Sequence, residues 1–266
     1  MAGKRVLLVS VDGMRPDALE LARTPVLDSL RAEGAYTGSA RSIMPSVTLP
    51  CHMSMLRGVE PGRHGITTNT FQPLVRPVPS LIDVAKAQGL TTGFFLNWEP
   101  LRDLSEPLSH DVLVVYADHH SADGDRRVAD AVVHHLNSFD LDITMVYLGW
   151  TDLAGHESGW MSDEQLRAIE GADACIGTML QAISSRNSRE TVTLVTADHG
   201  GHERAHGTDM PEDMTVPWLL HGPGVRQGYT ITGPVRIYDT CTTLAHILGL
   251  PASREWDGRV ISEAIV

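Results

Sequence analysis

The sequence predicts an α/β fold with a mostly parallel central sheet and helices on both of its faces. Short apolar runs alternate along the chain with segments of helical periodicity. The runs are rich in Val, Leu, Thr or Phe, which is typical of strands that are buried on both sides. Hydrophobic residues make up 42% of the chain, enough for a sizeable core, and we expect residues 1–266 to form a single domain.

Five segments are the clearest strand candidates because each is short, apolar and bounded by polar or turn-forming residues. They are Val6–Val11, Thr92–Leu96, Val112–Tyr116, Thr144–Leu148 and Thr191–Thr196.

Capping residues mark the predicted helices, since Ser, Thr and Asp favour the N-terminus and Gly the C-terminus. A loop is predicted for Phe71–Pro79, for Leu101–His110 and for His199–Asp213. One helix is expected after Thr24 up to Gly34, and a second after Ser80 up to Gly89, with Asp83 in its first turn. A third begins after Ser162, where Gln165 completes a capping box, and runs to about Ser185. The last is expected after Asp239 up to Gly249.

The composition excludes some partners. The formal net charge is −12, so binding of a nucleic-acid polymer or docking on an anionic membrane is not expected. The three cysteines, Cys51, Cys175 and Cys241, are far apart and do not indicate a disulfide framework. The first apolar run reaches Asp12 after six residues, too few for a signal peptide or a membrane span, so we expect a cytoplasmic location.

Asp and His residues follow the predicted strands in four clusters. In open parallel sheets ligands bind beyond the carboxyl ends of strands, so these residues are expected at one sheet edge. One Asp after a strand is more often a turn or helix cap, but four such clusters are hard to explain as capping. Carboxylate and imidazole together suit zinc or manganese. The candidate ligands are Asp12, Asp152 with His156 in a loop around Gly155, Asp198 with His199, and His206.

The remaining histidines that we considered have other expected places. His202 lies between two candidate ligands, where it can be a ligand's hydrogen-bond partner. We expect His119, His120, His134 and His135 to be solvated, His221 to lie in the core and His246 to pack on the last helix.

Thr48 is the candidate nucleophile. Pro50 is tolerated only in the first turn of a helix, so a helix from about Leu49 to Arg57 places Thr48 at its N-cap. Free N–H groups and the positive end of the helix dipole then surround the hydroxyl, a favourable place for a phosphate. A plain N-cap threonine is the alternative interpretation. Ser46 and Ser54 are less well placed nucleophiles, and Cys51 is expected to be packed.

Charge favours two metal ions in this site. The three carboxylates would repel a phosphate, whereas two divalent ions bring four positive charges against three negative ones. Metal coordination also lowers the pKa of a bound hydroxyl by several units.

Taken together, these segments resemble the alkaline phosphatase superfamily, most closely its nucleotide pyrophosphatase/phosphodiesterase-like branch. The likeness runs in order along nearly the whole chain. It is carried by VSVDGMRPD, PSVTLPCH, PGRHGITTN, TDLAGH, TADHG and HGTDMPEDMTVPWLLHGPGV.

The resemblance implies roles for the site residues. One metal ion, zinc or alternatively manganese, would take Asp152, His156 and His206. The second would take Asp12, Asp198, His199 and the Thr48 oxygen, and Thr48 would become a transient phospho-threonine. Asn69 would hold a phosphate oxygen. The implied activity is hydrolysis of a small anionic phosphate ester, a diester in the first place, with no nucleic-acid polymer or membrane as partner.

The same residues leave other functions open. A monoester needs an additional cation, for which Arg15, Arg41 and Arg204 are candidates. A phosphonate hydrolase would use the same ligands, but the chain has only two lysines, Lys4 and Lys86, where the phosphonoacetate hydrolases use lysine. The chain has no CxPxR motif of sulfatases. A non-catalytic metal- or phosphate-binding protein is the alternative from another class.

Overall fold

The computed structural model describes residues 3–74, 77–136, 138–186 and 189–266. Within these residues one eight-stranded sheet forms, in the order β4-β3-β5-β1-β6-β7-β2-β8. The strands are β1 (Arg5–Val11), β2 (Ala35–Arg41), β3 (Thr92–Leu96), β4 (Val112–Val115), β5 (Ile143–Leu148), β6 (Thr191–Thr196), β7 (Thr215–His221) and β8 (Tyr229–Thr230).

The predicted fold class is confirmed. All five predicted strands are present and pair in parallel as β4-β3-β5-β1-β6, with ends that differ by at most one residue from the prediction. Every residue of β1, β3 and β5 is buried, as their uninterrupted apolar runs indicate.

Three strands were not predicted, and one proline explains the largest omission. Strand β7 runs antiparallel to both β6 and β2 and contains Pro217, which cannot donate a ladder hydrogen bond. The proline lies opposite the register shift between Thr37 and Ala40 of β2, where the ladder is already interrupted. Strand β2 reads AYTGSAR and has no apolar run, while β8 has two residues.

The helices form two groups that pack among themselves. Helices α1, α5, α6 and α7 make one group, and α2, α4 and α9 make the other. Among the described residues, no helix is both long and apolar enough to cross a membrane. The helices are α1 (Pro25–Glu33), α2 (Thr48–Arg57), α3 (Pro61–His64), α4 (Leu81–Ala87), α5 (Ala122–Leu136), α6 (Trp150–Ser158), α7 (Asp163–Ser185), α8 (Pro211–Met214) and α9 (Asp239–Ile247).

The predicted caps are only partly as expected. Ser80 and Asp83 form a reciprocal capping box, and Ser162 accepts from the Gln165 N–H. Thr24 makes no side-chain cap bond although α1 begins after it. Asp239 is the first residue of α9 rather than its cap, and its carboxylate accepts from the backbone of the loops on either side.

Several loop and histidine predictions are corrected. Glu99–Asp103 and α8 form short helical turns where loops were expected. Residues 75 and 76 of the predicted loop Phe71–Pro79 lie outside the described residues. His221 is half-buried beside Glu33 and is not in the core, since β7 ends there, and His246 lies on the exposed side of α9.

Candidate active site

The candidate ligands lie at one edge of the sheet, as the strand order requires. Asp12 directly follows β1, and Asp198 and His199 follow β6, the neighbouring parallel strand. Helix α6 begins two residues after β5, the other neighbour of β1, and carries Asp152 and His156. Three adjacent carboxyl ends therefore deliver ligands to one place.

Asp152 and His156 lie on a helix, which corrects the predicted loop. Residues four apart on a helix share a face, and the Asp152 Oδ2 to His156 Nε2 distance is 3.4 Å. The intervening Gly155 makes room for a tryptophan. A Cβ atom there would lie 2.8 Å from the Trp160 ring.

Thr48 is the first residue of α2, and Val47 rather than Thr48 is the N-cap. The extended backbone of Val47 places the threonine one position further into the helix than predicted. Its side chain is buried, and its Oγ1 atom lies 3.3 Å from His199 Nε2. Asn69 is fixed beside it, because its Oδ1 accepts from the Leu49 N–H at 2.9 Å. This bond uses the amide oxygen and leaves the N–H donors of Asn69 to serve a ligand.

The alternative nucleophiles are engaged in other contacts. Ser46 Oγ donates to the Thr208 carbonyl oxygen at 2.8 Å, and Ser54 Oγ lies 3.0 Å from His64 Nε2. Burial raises the pKa of the Cys51 thiol well above its usual range, so this cysteine is packed and not reactive.

The ligand atoms converge in two groups that share His199. Within each group the ligand atoms lie within 4.8 Å of one another. His199 Nε2 is 3.3 Å from both Asp12 Oδ1 and Asp198 Oδ2, and His206 Nε2 is 3.6 Å from Asp152 Oδ1. The groups are Asp12, Asp198 and His199, and Asp152, His199 and His206. His156 belongs to neither group but lies next to the second one. Its Nε2 atom is 3.4 Å from Asp152 Oδ2, and its ring centroid is 5.0 Å from that of His206.

All three imidazoles present the same nitrogen to the cluster. The Nδ1 atoms of His156, His199 and His206 lie 2.9, 2.8 and 2.8 Å from the carbonyl oxygens of Arg204, Gly200 and Ser46. A carbonyl oxygen only accepts, so each Nδ1 carries the proton and each Nε2 has a free lone pair. This is the arrangement in which a histidine ligates a metal ion while a backbone group orients its ring.

Two of the three carboxylates show the same division between a bonded and a free side. Asp12 Oδ2 accepts from the Tyr147 hydroxyl, and Asp198 Oδ1 accepts from the Gly13 N–H at 3.3 Å. In contrast, Asp12 Oδ1, Asp152 Oδ1 and Asp198 Oδ2 are buried without a hydrogen-bond partner. Buried oxygens that face one another without donors fit divalent cations, which the site therefore has the donor set to hold.

The pKa shifts of the candidate ligands also fit a site for cations. Burial and then the charges of Asp198 and Asp152 raise the pKa of Asp12 well above its usual range. Burial also raises the pKa of Asp152. Burial opposes ionisation of Asp198, but His199 and His52, together with hydrogen bonds to Asp12 and the Gly13 N–H, lower its pKa. Burial and His199 lower the pKa of His206 to about 3, so it is neutral and able to ligate.

Sequence reasoning missed two residues that support the ligands. His52, four residues after Thr48 on α2, is fully buried and lies 2.8 Å from Ser10 Oγ, 2.8 Å from the Thr48 carbonyl oxygen and 3.5 Å from Asp198 Oδ2. Tyr147 donates to Asp12. The helical spacing of His52 from Thr48 was the one available signal, because residues four apart share a face.

The remaining polar candidates lie around the cluster. His202 Nδ1 is 2.7 Å from Asp213 Oδ1, and the other oxygen of Asp213 accepts from Thr208, so His202 belongs to the anchoring of the His206 loop. Arg15 is held by Asp17 and by the Gly201 carbonyl oxygen. Arg204 has an exposed side chain, and its carbonyl oxygen orients His156.

The sheet and the clustered ligands define a protein of the alkaline phosphatase superfamily, in agreement with the resemblance of the sequence. The family model for type I phosphodiesterase / nucleotide pyrophosphatase matches residues 6–207, and the chain belongs to this family.

Relatives and solved structures agree with this assignment. Ectonucleotide pyrophosphatase/phosphodiesterase family member 7 of Rattus norvegicus is 24% identical over 74% of this chain and 49% of its own length. Family member 1 of Homo sapiens is 28% identical over 73% of this chain and 23% of its own length. The chain thus spans half or less of these relatives. Murine ectonucleotide pyrophosphatase/phosphodiesterase 5 shares the fold with a TM-score of 0.80 and 17% identity, covering 94% of this chain and 96% of that chain.

Proposed function

We propose that this protein is a two-metal phosphoric ester hydrolase, in the first place a phosphodiesterase, that uses Thr48 as nucleophile and forms a phospho-threonine intermediate. Membership of the phosphodiesterase family supports the reaction class. The mouse structural relative has been studied as an inactive threonine-to-alanine variant in complex with AMP, which supports both a threonine nucleophile and a small phosphate ester as substrate.

One observation carries the proposal: the three histidines, Asp12 and Asp198 are each hydrogen-bonded through one atom and present the other to the cluster, where Asp152 Oδ1 also lies without a donor. His199 Nε2 lies 3.3 Å from Thr48 Oγ1, and the ligand atoms of Asp12 with Asp198 and of Asp152 with His206 lie within 4.8 Å of His199 in two groups. A decayed or purely structural site would be expected to have lost part of this set or to satisfy it with hydrogen bonds.

The residues divide between two ions as follows. Asp152, His156 and His206 would hold one, and Asp12, Asp198, His199 and Thr48 Oγ1 the other. When bound, two divalent cations neutralise phosphate charge and lower the pKa of a hydroxyl and of water. We propose zinc, with manganese as the alternative, because imidazole and carboxylate suit both.

The protein's own groups then perform a displacement at phosphorus. The Thr48 oxygen forms the new bond to phosphorus while the ester oxygen leaves, and water later cleaves phospho-Thr48 to restore the hydroxyl. The backbone N–H of Thr48 and the amide of Asn69 stabilise the non-bridging oxygens. The burial of Thr48 shields the intermediate from bulk water.

A diester fits this site better than a monoester. A monoester dianion requires a further cation, and Arg15, one candidate, is already bound by Asp17 and Gly201. A diester monoanion needs only the ions, Asn69 and the helix N-terminus.

A cytoplasmic location remains our proposal from composition.

Replacing Thr48 by Ala tests the mechanism. Zinc- or manganese-loaded protein is expected to hydrolyse bis-p-nitrophenyl phosphate faster than p-nitrophenyl phosphate. Thr48→Ala should reduce kcat by roughly a thousand-fold or more, because the nucleophile is lost. Release of p-nitrophenol gives the rate, and denaturing mass spectrometry of a quenched reaction detects the Thr48 peptide, which carries p-nitrophenyl phosphate after attack on the diester and phosphate after attack on the monoester.

Ser54→Ala is the matched control, since it removes a buried hydroxyl from the same helix. It should stay within about tenfold of the wild type. Full activity of metal-loaded Thr48→Ala would refute the mechanism. A preference for the monoester would refute the diester assignment, and phosphate release from phosphonoacetate alone would favour the phosphonate hydrolase. Stable binding of phosphate without turnover would indicate a non-catalytic protein.

A further inference from the structure

A buried carboxylate outside the cluster caps the helix that carries two ligands. Asp125 lies in the first turn of α5 and is 2% exposed. Its Oδ1 atom accepts from Asn97 Nδ2 at 2.7 Å, from the Gly149 N–H at 3.0 Å and from the Trp150 N–H at 3.3 Å. Gly149 and Trp150 are the N-cap and first residue of α6.

Helix α6 has no side-chain cap of its own. Its N-cap is glycine, which offers no side-chain acceptor to the free N–H groups of the first turn. A side chain there has no space, because a Cβ atom on Gly149 would lie 2.8 Å from the Tyr147 ring and 3.1 Å from Asn97 Oδ1. The acceptors therefore come from elsewhere in the chain: Asp125, and Asn97 Oδ1 at 3.1 Å from the Gly149 N–H.

The capped end is close to the chemistry. Asp152 follows Trp150 by two residues, and Thr151 between them donates its hydroxyl to the carbonyl oxygen of Asp12. A shift of the first turn of α6 therefore moves Asp152 and, one turn later, His156. Asp152 Oδ1 is buried without a donor, so no hydrogen bond to that atom compensates for such a shift.

We propose that Asp125 is a positioning residue for the metal ligands on α6, which holds the beginning of that helix so that Asp152 and His156 face the ion they share. This inference rests on the proposed two-metal function. Asp125 touches neither substrate nor ligand side chain, and it acts through the backbone N–H groups of Gly149 and Trp150. Groups that orient metal ligands typically change metal affinity about 10–100-fold when they are removed.

Zinc titration by calorimetry tests the proposal. Wild-type protein freed of metal is expected to bind two zinc ions per chain. Asp125→Ala should weaken one of the two dissociation constants about tenfold or more and leave the other within about threefold, since Asp12, Asp198 and His199 do not lie on α6.

Asp173 provides a matched control. It is likewise 2% exposed and caps another helix, accepting from the Leu27 N–H at 2.8 Å and the Val26 N–H at 3.2 Å at the start of α1. Helix α1 carries no candidate ligand. Asp173→Ala should lower the melting temperature as Asp125→Ala does, but leave both zinc dissociation constants within about threefold.

Unchanged zinc affinity in Asp125→Ala would overturn the inference, and so would equal weakening in both variants, which would indicate a generally loosened fold. If Asp125→Ala does not fold, Asn97→Ala takes its place: it removes the second acceptor for Gly149 and should weaken the same zinc site. A wild-type protein that binds no zinc or manganese would refute the two-metal function itself. That result differs from two zinc sites whose dissociation constants do not change in Asp125→Ala.

Discussion

Trp160 occupies space that three glycines leave open. Its Nε1 donates to the Gly13 carbonyl oxygen at 2.9 Å, and its ring packs on Gly13, Gly155 and Gly201. The ring also meets His156 edge-on, with centroids 5.1 Å apart. These glycines lie after β1, in α6 and after β6, so a single side chain packs against all three ligand-bearing segments.

Gly201→Ala should therefore destabilise the fold. The added Cβ atom would fall inside the Trp160 ring, which cannot move without displacing Gly13 and Gly155. Overpacking of this kind costs about 1–3 kcal/mol in free energy of unfolding, measurable by urea denaturation of the metal-free protein.

Gly171→Ala is the control for that change. A Cβ atom at Gly171 meets nothing within 4 Å in the middle of α7, so the substitution should stabilise the protein by about 0.5–1 kcal/mol. Equal effects of the two alanines would contradict the packing argument.

At the scale of elements, the contact between α5 and α6 contains a group that titrates near neutrality. Burial raises the pKa of Asp125 to about 7, and its Oδ2 atom, buried without a partner, can carry the proton. The folded state then binds more protons than the unfolded state between about pH 4 and pH 7, because an unfolded aspartate has a pKa near 3.9. The contribution of Asp125 to stability is therefore largest in acid and is lost as the pH rises through about 7.

Asp125→Asn isolates this contribution. The difference in free energy of unfolding between the metal-free wild type and the variant should fall as the pH rises from 5 to 8, by up to roughly 2.5 kcal/mol. Urea unfolding at pH 5, 6, 7 and 8 measures it. A difference that does not change with pH would show that Asp125 has an ordinary pKa.

At the scale of the whole molecule, the acidic site opposes folding when no cation is bound. The buried carboxylates of Asp12 and Asp198 and the partly buried carboxylate of Asp152 lie together in a chain of net charge −12. The raised pKa of Asp12 reflects burial and the repulsion from Asp198 and Asp152. An ionised Asp12 therefore lowers the stability of the metal-free protein but favours the binding of a cation.

Asp12→Asn should separate these demands. The amide keeps an oxygen for Tyr147, and its nitrogen can donate to His199 Nε2, which lies 3.3 Å from the replaced oxygen. We expect the metal-free variant to be more stable than the wild type by about 1–3 kcal/mol and to bind zinc more weakly. Thermal unfolding in chelator gives the first quantity, and a variant that is less stable than the wild type would contradict this account.

Sequence alone identified the parallel part of the sheet. It also named five candidate ligands whose atoms the structure brings into two groups: Asp12, Asp152, Asp198, His199 and His206. Uninterrupted apolar runs can be recognised locally in the sequence as buried strands. Because these strands pair in parallel, the residues that follow them lie at the same edge of the sheet. The antiparallel strands escaped because β2 has no apolar run and Pro217 argues against a strand. Tyr147 and Asp125 escaped for another reason: their partners are set by three-dimensional packing, and no spacing in the sequence reports them, whereas the spacing of His52 from Thr48 was available but not used.

The ligands come from segments that lie far apart along the chain. The Gly13 N–H donates to Asp198 across 185 positions, and Thr48 meets His199 across 151. Such contacts require long stretches of chain to be brought together, which costs conformational entropy. A nascent or partly folded chain thus has no place where the full set of ligands meets. The proposed ion-binding site is therefore complete only in the folded chain, and a bound ion would mark the chains that have reached the native topology.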